Sequence, residues 1–148
     1  MYLDPHLEHR KAQEREHAAR AQGDPMDSLV SIEVNVMDAC NRVCSFCPHG
    51  NATSYPNRYD WKASPKLIEA LANDLREWAY GGRISFSGYG EPLLNKALAG
   101  YISTLRDALP KNTIEVNTNG DALSVGRITT LYAAGMSLMY GNMYAGPG

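Results

Sequence analysis

Three cysteines, Cys40, Cys44 and Cys47, lie within eight residues of one another and are the only cysteines among the 148 residues. The run Cys40-Asn41-Arg42-Val43-Cys44-Ser45-Phe46-Cys47 has the spacing C-x3-C-x2-C. An odd number of clustered cysteines cannot close as a disulfide framework, and thiolates at this spacing suit an inorganic centre in a reducing compartment. Two centres compete. Structural zinc takes four ligands, so a Cys3His site completed by His49 is one reading, although the two-residue gap from Cys47 is tighter than the usual spacings. The other is an iron–sulfur cube, in which three cysteines leave one iron without a protein ligand. An open coordination position is what a catalytic centre needs.

Two further polar clusters stand out. Ser87-Gly88-Tyr89-Gly90-Glu91-Pro92 is glycine-rich, but a dinucleotide fingerprint would need glycine where Leu93 stands, and the Lys-Ser/Thr of a phosphate loop is missing. Taken by itself it is a tight turn carrying one acid. Asn117-Thr118-Asn119-Gly120 follows an apolar-alternating stretch, and its Asn-Gly pair has the composition of a simple turn.

The elements that must position these clusters follow from periodicity. Ser31–Met37 alternates apolar and polar residues and predicts a strand, after which a polar loop holding all three cysteines runs to about Trp61. Ser64-Pro65 starts a helix bearing Leu67, Ile68, Leu71, Leu75 and Trp78, with Gly81-Gly82 as its stop. A strand over 83–88 leads into the glycine cluster. A second helix carries Leu94, Leu98, Tyr101, Ile102 and Leu105 and ends before Pro110. A strand over 113–118, a helix capped by Ser124 and stopped at Gly135, and a strand over 137–143 complete the pattern. Three β-loop-α units and a final strand predict an α/β fold with a parallel sheet in chain order and helices on one outer face. Trp61 and Trp78 are expected in the core, as is the run Met136, Met139, Tyr140, Met143 and Tyr144.

The cysteine run, with aromatic Phe46 just before the last cysteine, resembles the signature of the radical S-adenosylmethionine (SAM) superfamily. The resemblance extends from about Ser31 to Asn142 and implies a partial, truncated TIM-like barrel of about four strands. It implies a [4Fe–4S] cluster on Cys40, Cys44 and Cys47, with SAM chelating the fourth iron and cleaved by one electron to a 5′-deoxyadenosyl radical that abstracts hydrogen from a substrate. Phe46 matches the aromatic position near the adenine. Gly90 and Glu91 match the family's Gly-Gly-Glu motif, where glycine admits the cofactor and the acid accepts from the SAM ammonium. Asn117 and Thr118 match a polar motif after the third strand, and Asn142 falls where a polar residue meets the ribose. The same resemblance implies an electron donor such as a flavodoxin or ferredoxin, and a small-molecule or peptide substrate.

Composition bounds the rest. With 14 Lys+Arg against 16 Asp+Glu, the chain has no general electrostatic grip on nucleic acid. No apolar run approaches the ~18 residues of a membrane span, and the charged N-terminus lacks a signal-peptide core, so a cytoplasmic protein is expected. Residues 1–25 read as a charged, flexible extension holding His6, His9 and His17, and 26–148 as the core domain. The family's core has six βα units. A chain ending after its fourth strand is therefore expected to be a fragment or half of an assembly, open to self-association through the exposed strand edge and a poor catalyst alone.

Overall fold

The computed structural model describes residues 28–50 and 55–142, together with positions 11, 12, 14, 15 and 18 of the N-terminal extension. The turn at Gly23-Asp24-Pro25, the three N-terminal histidines, and Met143 and Tyr144 lie outside the described residues. The strands are β1 (Ser31–Val34), β2 (Met37–Asp38), β3 (Arg58–Lys62), β4 (Arg83–Phe86), β5 (Ile114–Thr118) and β6 (Leu138–Gly141). The helices are α1 (Pro65–Glu77), α2 (Leu98–Ala108) and α3 (Val125–Ala133).

One sheet has the order β1-β4-β5-β6 with every pairing parallel, as the βα alternation predicts. Ser31 pairs with Arg83, Ile84 with Ile114, and Glu115 with Leu138. Helix α1 packs on α2 and α2 on α3. Their apolar residues Ile68, Leu75, Ile102, Leu105 and Leu131 form one cluster with Ile84, Phe86, Ile114 and Val116 of the sheet. A parallel sheet covered on both faces reads as continuous apolar runs, whereas these strands alternate. The alternate residues Glu33, Ser85 and Asn117 lie on the opposite face, and Asn117 Nδ2 donates to Ser85 Oγ (2.8 Å).

Three local expectations need correction. The first strand ends at Val34, and Met37–Asp38 instead pairs antiparallel with Arg58–Lys62, inside the span read as loop. That ribbon is exposed along most of β3 and irregular in register, so it carries no apolar alternation to betray it. Helix α1 stops before the glycine pair: Trp78 is its C-cap, Ala79 takes the left-handed conformation (φ 50°), and Tyr80 N–H donates to Leu75 O (2.9 Å). Gly82 serves Tyr80 instead, since a Cβ there would lie 2.3 Å from the phenol oxygen. Trp78 is 54% exposed and no core residue. The caps at Ser64 and Ser124 form as expected, each hydroxyl accepting a backbone N–H at 3.2 Å.

Candidate cluster and cofactor site

In a parallel sheet the loops leaving the C-terminal strand ends converge on one edge, where ligand sites form. Here a cavity of about 480 Å³ opens at that edge. Its wall contains Cys40, Phe46, Glu91, Thr118 and Asn142, and the other residues singled out in the sequence, Cys44, Cys47, Gly90 and Asn117, line it too. Phe46 is 66% exposed at this wall. His49 is elsewhere: it is 3% exposed, with Nε2 3.8 Å from Asp38 Oδ1 and its ring edge-on to Tyr55.

Glu91 organises the floor. It is 3% exposed, and its Oε1 accepts from Leu93 N–H (2.9 Å) and the Thr118 hydroxyl (2.7 Å), while Oε2 accepts from Asn119 N–H (2.8 Å). Three donors fix the orientation of this buried carboxylate and leave one acceptor direction at Oε2. Thr118 is correspondingly occupied, donating to Glu91 and accepting from Gly120 N–H (3.1 Å). Asn142 N–H donates to Thr118 O (2.7 Å), which ties β6 to the same floor. Gly90 is required by the chain itself, because a Cβ would fall 1.6 Å from Met37 O. Gly88, at φ 120°, occupies backbone space that other residues avoid.

The cysteine loop is latched to the turn after β5. Arg42 Nε donates to Asp121 Oδ2 (2.7 Å), its Nη2 pairs with Oδ1, and Asn41 Nδ2 donates to Oδ2 (3.2 Å). The guanidinium holds the Asp121 carboxyl below the usual carboxylate range, and Asp121 raises Arg42 in return. Asn119 Nδ2 donates to Asn41 Oδ1 (2.9 Å) and to Cys40 Sγ (3.6 Å), and Arg42 N–H also donates to that sulfur (3.5 Å). Burial pushes the Cys40 thiol up, while the Arg42 and Asn119 donors pull it down. From the sequence, Asn119 reads as a turn residue, and Arg42 reads equally as a loop residue facing solvent or as one that tunes a cluster or contacts SAM. Asp121 went unnoticed. The available signal was one residue pattern, an amide and an acid, Asn119 and Asp121, directly beyond a strand end.

The donor set fits an iron–sulfur cube. Among the described residues no three His, Cys, Asp or Glu side chains gather around a single ion. A cube takes each cysteine on a different iron, so its thiolates need not meet at a point, and N–H donors aimed at a sulfur suit the anionic thiolate.

Residues 34–146 match the Radical SAM superfamily, and the chain belongs to that family. Among its relatives, it is 37% identical over 122 residues to an S-adenosyl-L-methionine-dependent 2-deoxy-scyllo-inosamine dehydrogenase of Niallia circulans, covering 82% of this chain and 48% of that protein. The crystal structure of BtrN in complex with AdoMet and 2-DOIA superposes with a TM-score of 0.71 at 34% identity, over 79% of this chain and 46% of the other. BtrN in an open conformation gives 0.68 at 34% identity, over 79% and 51%. The chain thus spans about half the length of these relatives.

Proposed function

We propose that this chain is the cluster- and SAM-binding portion of a radical SAM enzyme acting on a small molecule. The observation that carries the reading is that three thiols, a buried and oriented acid and three polar strand-end residues share one cavity. When bound, the cluster and SAM supply a carbon-centred radical. Cys40, Cys44 and Cys47 hold the cluster, and the remaining acceptor direction of Glu91 takes the SAM ammonium. Phe46 covers the adenine, while Asn117 and Asn142 face the sugar and methionine portions. Thr118, already committed to Glu91, orients that acid rather than the cofactor. Residues 26–148 act as the core domain, and 1–25 as an appended segment.

The relatives support a small-molecule substrate over a peptide, and a dehydrogenase-type oxidation as in the Niallia circulans protein is the proposal for the whole enzyme. A flavodoxin- or ferredoxin-type donor supplies the electron. Among the described residues no helix is long and apolar enough to cross a membrane, and a reducing cytoplasm is the setting in which this cluster persists. The β6 edge, paired only with β5 among the described residues, is the proposed surface for self-association. Anaerobic reconstitution with iron and sulfide tests the reading. About four irons per chain, no zinc, and reductive SAM cleavage absent in Cys44→Ala are expected. One tightly held zinc lost on His49→Ala would overturn it.

A further inference from the structure

Asn119 does more than turn the chain. Its backbone N–H is fixed on Glu91 Oε2 (2.8 Å), and its side-chain oxygen accepts from Asp121 N–H (3.0 Å). The amide is thereby locked with its NH2 toward Asn41 Oδ1 (2.9 Å) and Cys40 Sγ (3.6 Å). Asp121 in turn grips Asn41 and Arg42, the two residues after Cys40, so the sulfur and its donor are held from both sides.

Resting on the reading that Cys40 is a cluster ligand, we propose that Asn119 is a positioning residue that raises the reduction potential of the cluster through its hydrogen bond to the Cys40 sulfur. The sign follows from charge. Reduction adds an electron to the cluster and its thiolates, and an N–H donor at a ligating sulfur stabilises the more negative state more strongly. The Arg42 backbone N–H supplies a second donor to the same sulfur, but it comes with the loop itself and cannot be removed by exchanging a side chain. Asn119 is the adjustable one, and it reaches Cys40 from 79 residues along the chain.

The test compares the full chain with Asn119→Ala and Asn119→Asp after anaerobic reconstitution, reading iron and sulfide content and the midpoint potential by EPR-monitored reductive titration. Asn119→Ala is expected to keep its iron while the reduced fraction at a fixed potential falls about tenfold, a drop of ~59 mV for a one-electron couple. Asn119→Asp keeps an oxygen for the Asp121 N–H, loses the donor and brings negative charge, so its potential falls at least as far. A purely structural role for Asn119 would lower iron content without moving the potential of the clusters that form. That outcome, or wild-type potentials at full iron in both variants, overturns the inference while leaving the cluster reading intact. A wild-type chain that takes up no cluster overturns the cluster reading itself.

Discussion

The two edges of the sheet solve opposite problems. At the N-terminal edge, where α2 and α3 end, orphan backbone carbonyls accumulate and donors meet them. Arg106 reaches Gly135 O (3.0 Å), Leu109 O (3.1 Å), Pro110 O (3.0 Å) and Asn112 O (2.8 Å), and Asn112 Nδ2 reaches Tyr80 O (2.8 Å) and Gly82 O (2.7 Å). At the C-terminal edge, strands end and helices begin, so N–H groups accumulate. Acceptors meet them there: Ser64, Ser124 and above all Glu91. The repeated βα unit therefore polarises its own two edges before any ligand arrives. One edge is closed by its own side chains. The other keeps acceptors and sulfurs facing a cavity.

The largest expected effect breaks the closed edge. Arg106→Ala strips the donors from several carbonyls at once and should cost about 3 kcal/mol in chemical denaturation, with iron content per folded chain unchanged. Gly135→Ala should act through the same contact, since a Cβ there would lie 2.6 Å from Arg106 Cγ and the residue sits at φ 102°.

Glu91→Gln sharpens the comparison, because it touches stability and site together. Its amide turns a donor toward groups that already donate, costing about 1–2 kcal/mol, and calorimetry of the reconstituted chain should show SAM affinity lowered about tenfold or more.

A smaller effect separates the edges by pH. Burial pushes Tyr80, at the closed edge, up to about 12 from an ordinary 10.0. The folded chain then holds this proton where the unfolded chain releases it, so stability is full below pH 10 and falls between pH 10 and 12. Thermal melts across that window should show the decline, and Tyr80→Phe should flatten it.

The smallest effect on stability belongs to the exposed latch at the open edge. Asp121→Asn should leave the melting temperature unchanged while slowing cluster uptake several-fold, and high salt should slow the wild-type chain in the same direction.

This contrast also explains what could be read from the residues alone. The parallel order and the helix faces were legible because Ile84, Phe86, Ile114 and Val116 alternate and Leu98, Tyr101, Ile102 and Leu105 recur at helical spacing. The cysteines stood out because their spacing is local, and the structure places all three at one cavity wall. The β2–β3 ribbon was hidden by its exposed, charged composition, and Ala79 by the glycines two residues later. The latch was hidden because Asn119 and Asp121 acquire meaning only across some 80 residues of chain. No local pattern records that distance.

The contact between position 90 and the β2 backbone bears on how variant libraries of this chain should be scored. With Met37 O where a Cβ would sit, every replacement of Gly90 forces β2 and the Glu91 loop apart. A screen that counts only SAM binding would file position 90 beside the residues proposed to hold the cofactor. Counting soluble protein as well would place it with the folding determinants, and Phe46, proposed to cover the adenine, is expected to show the reverse profile, abundant but weak in SAM binding.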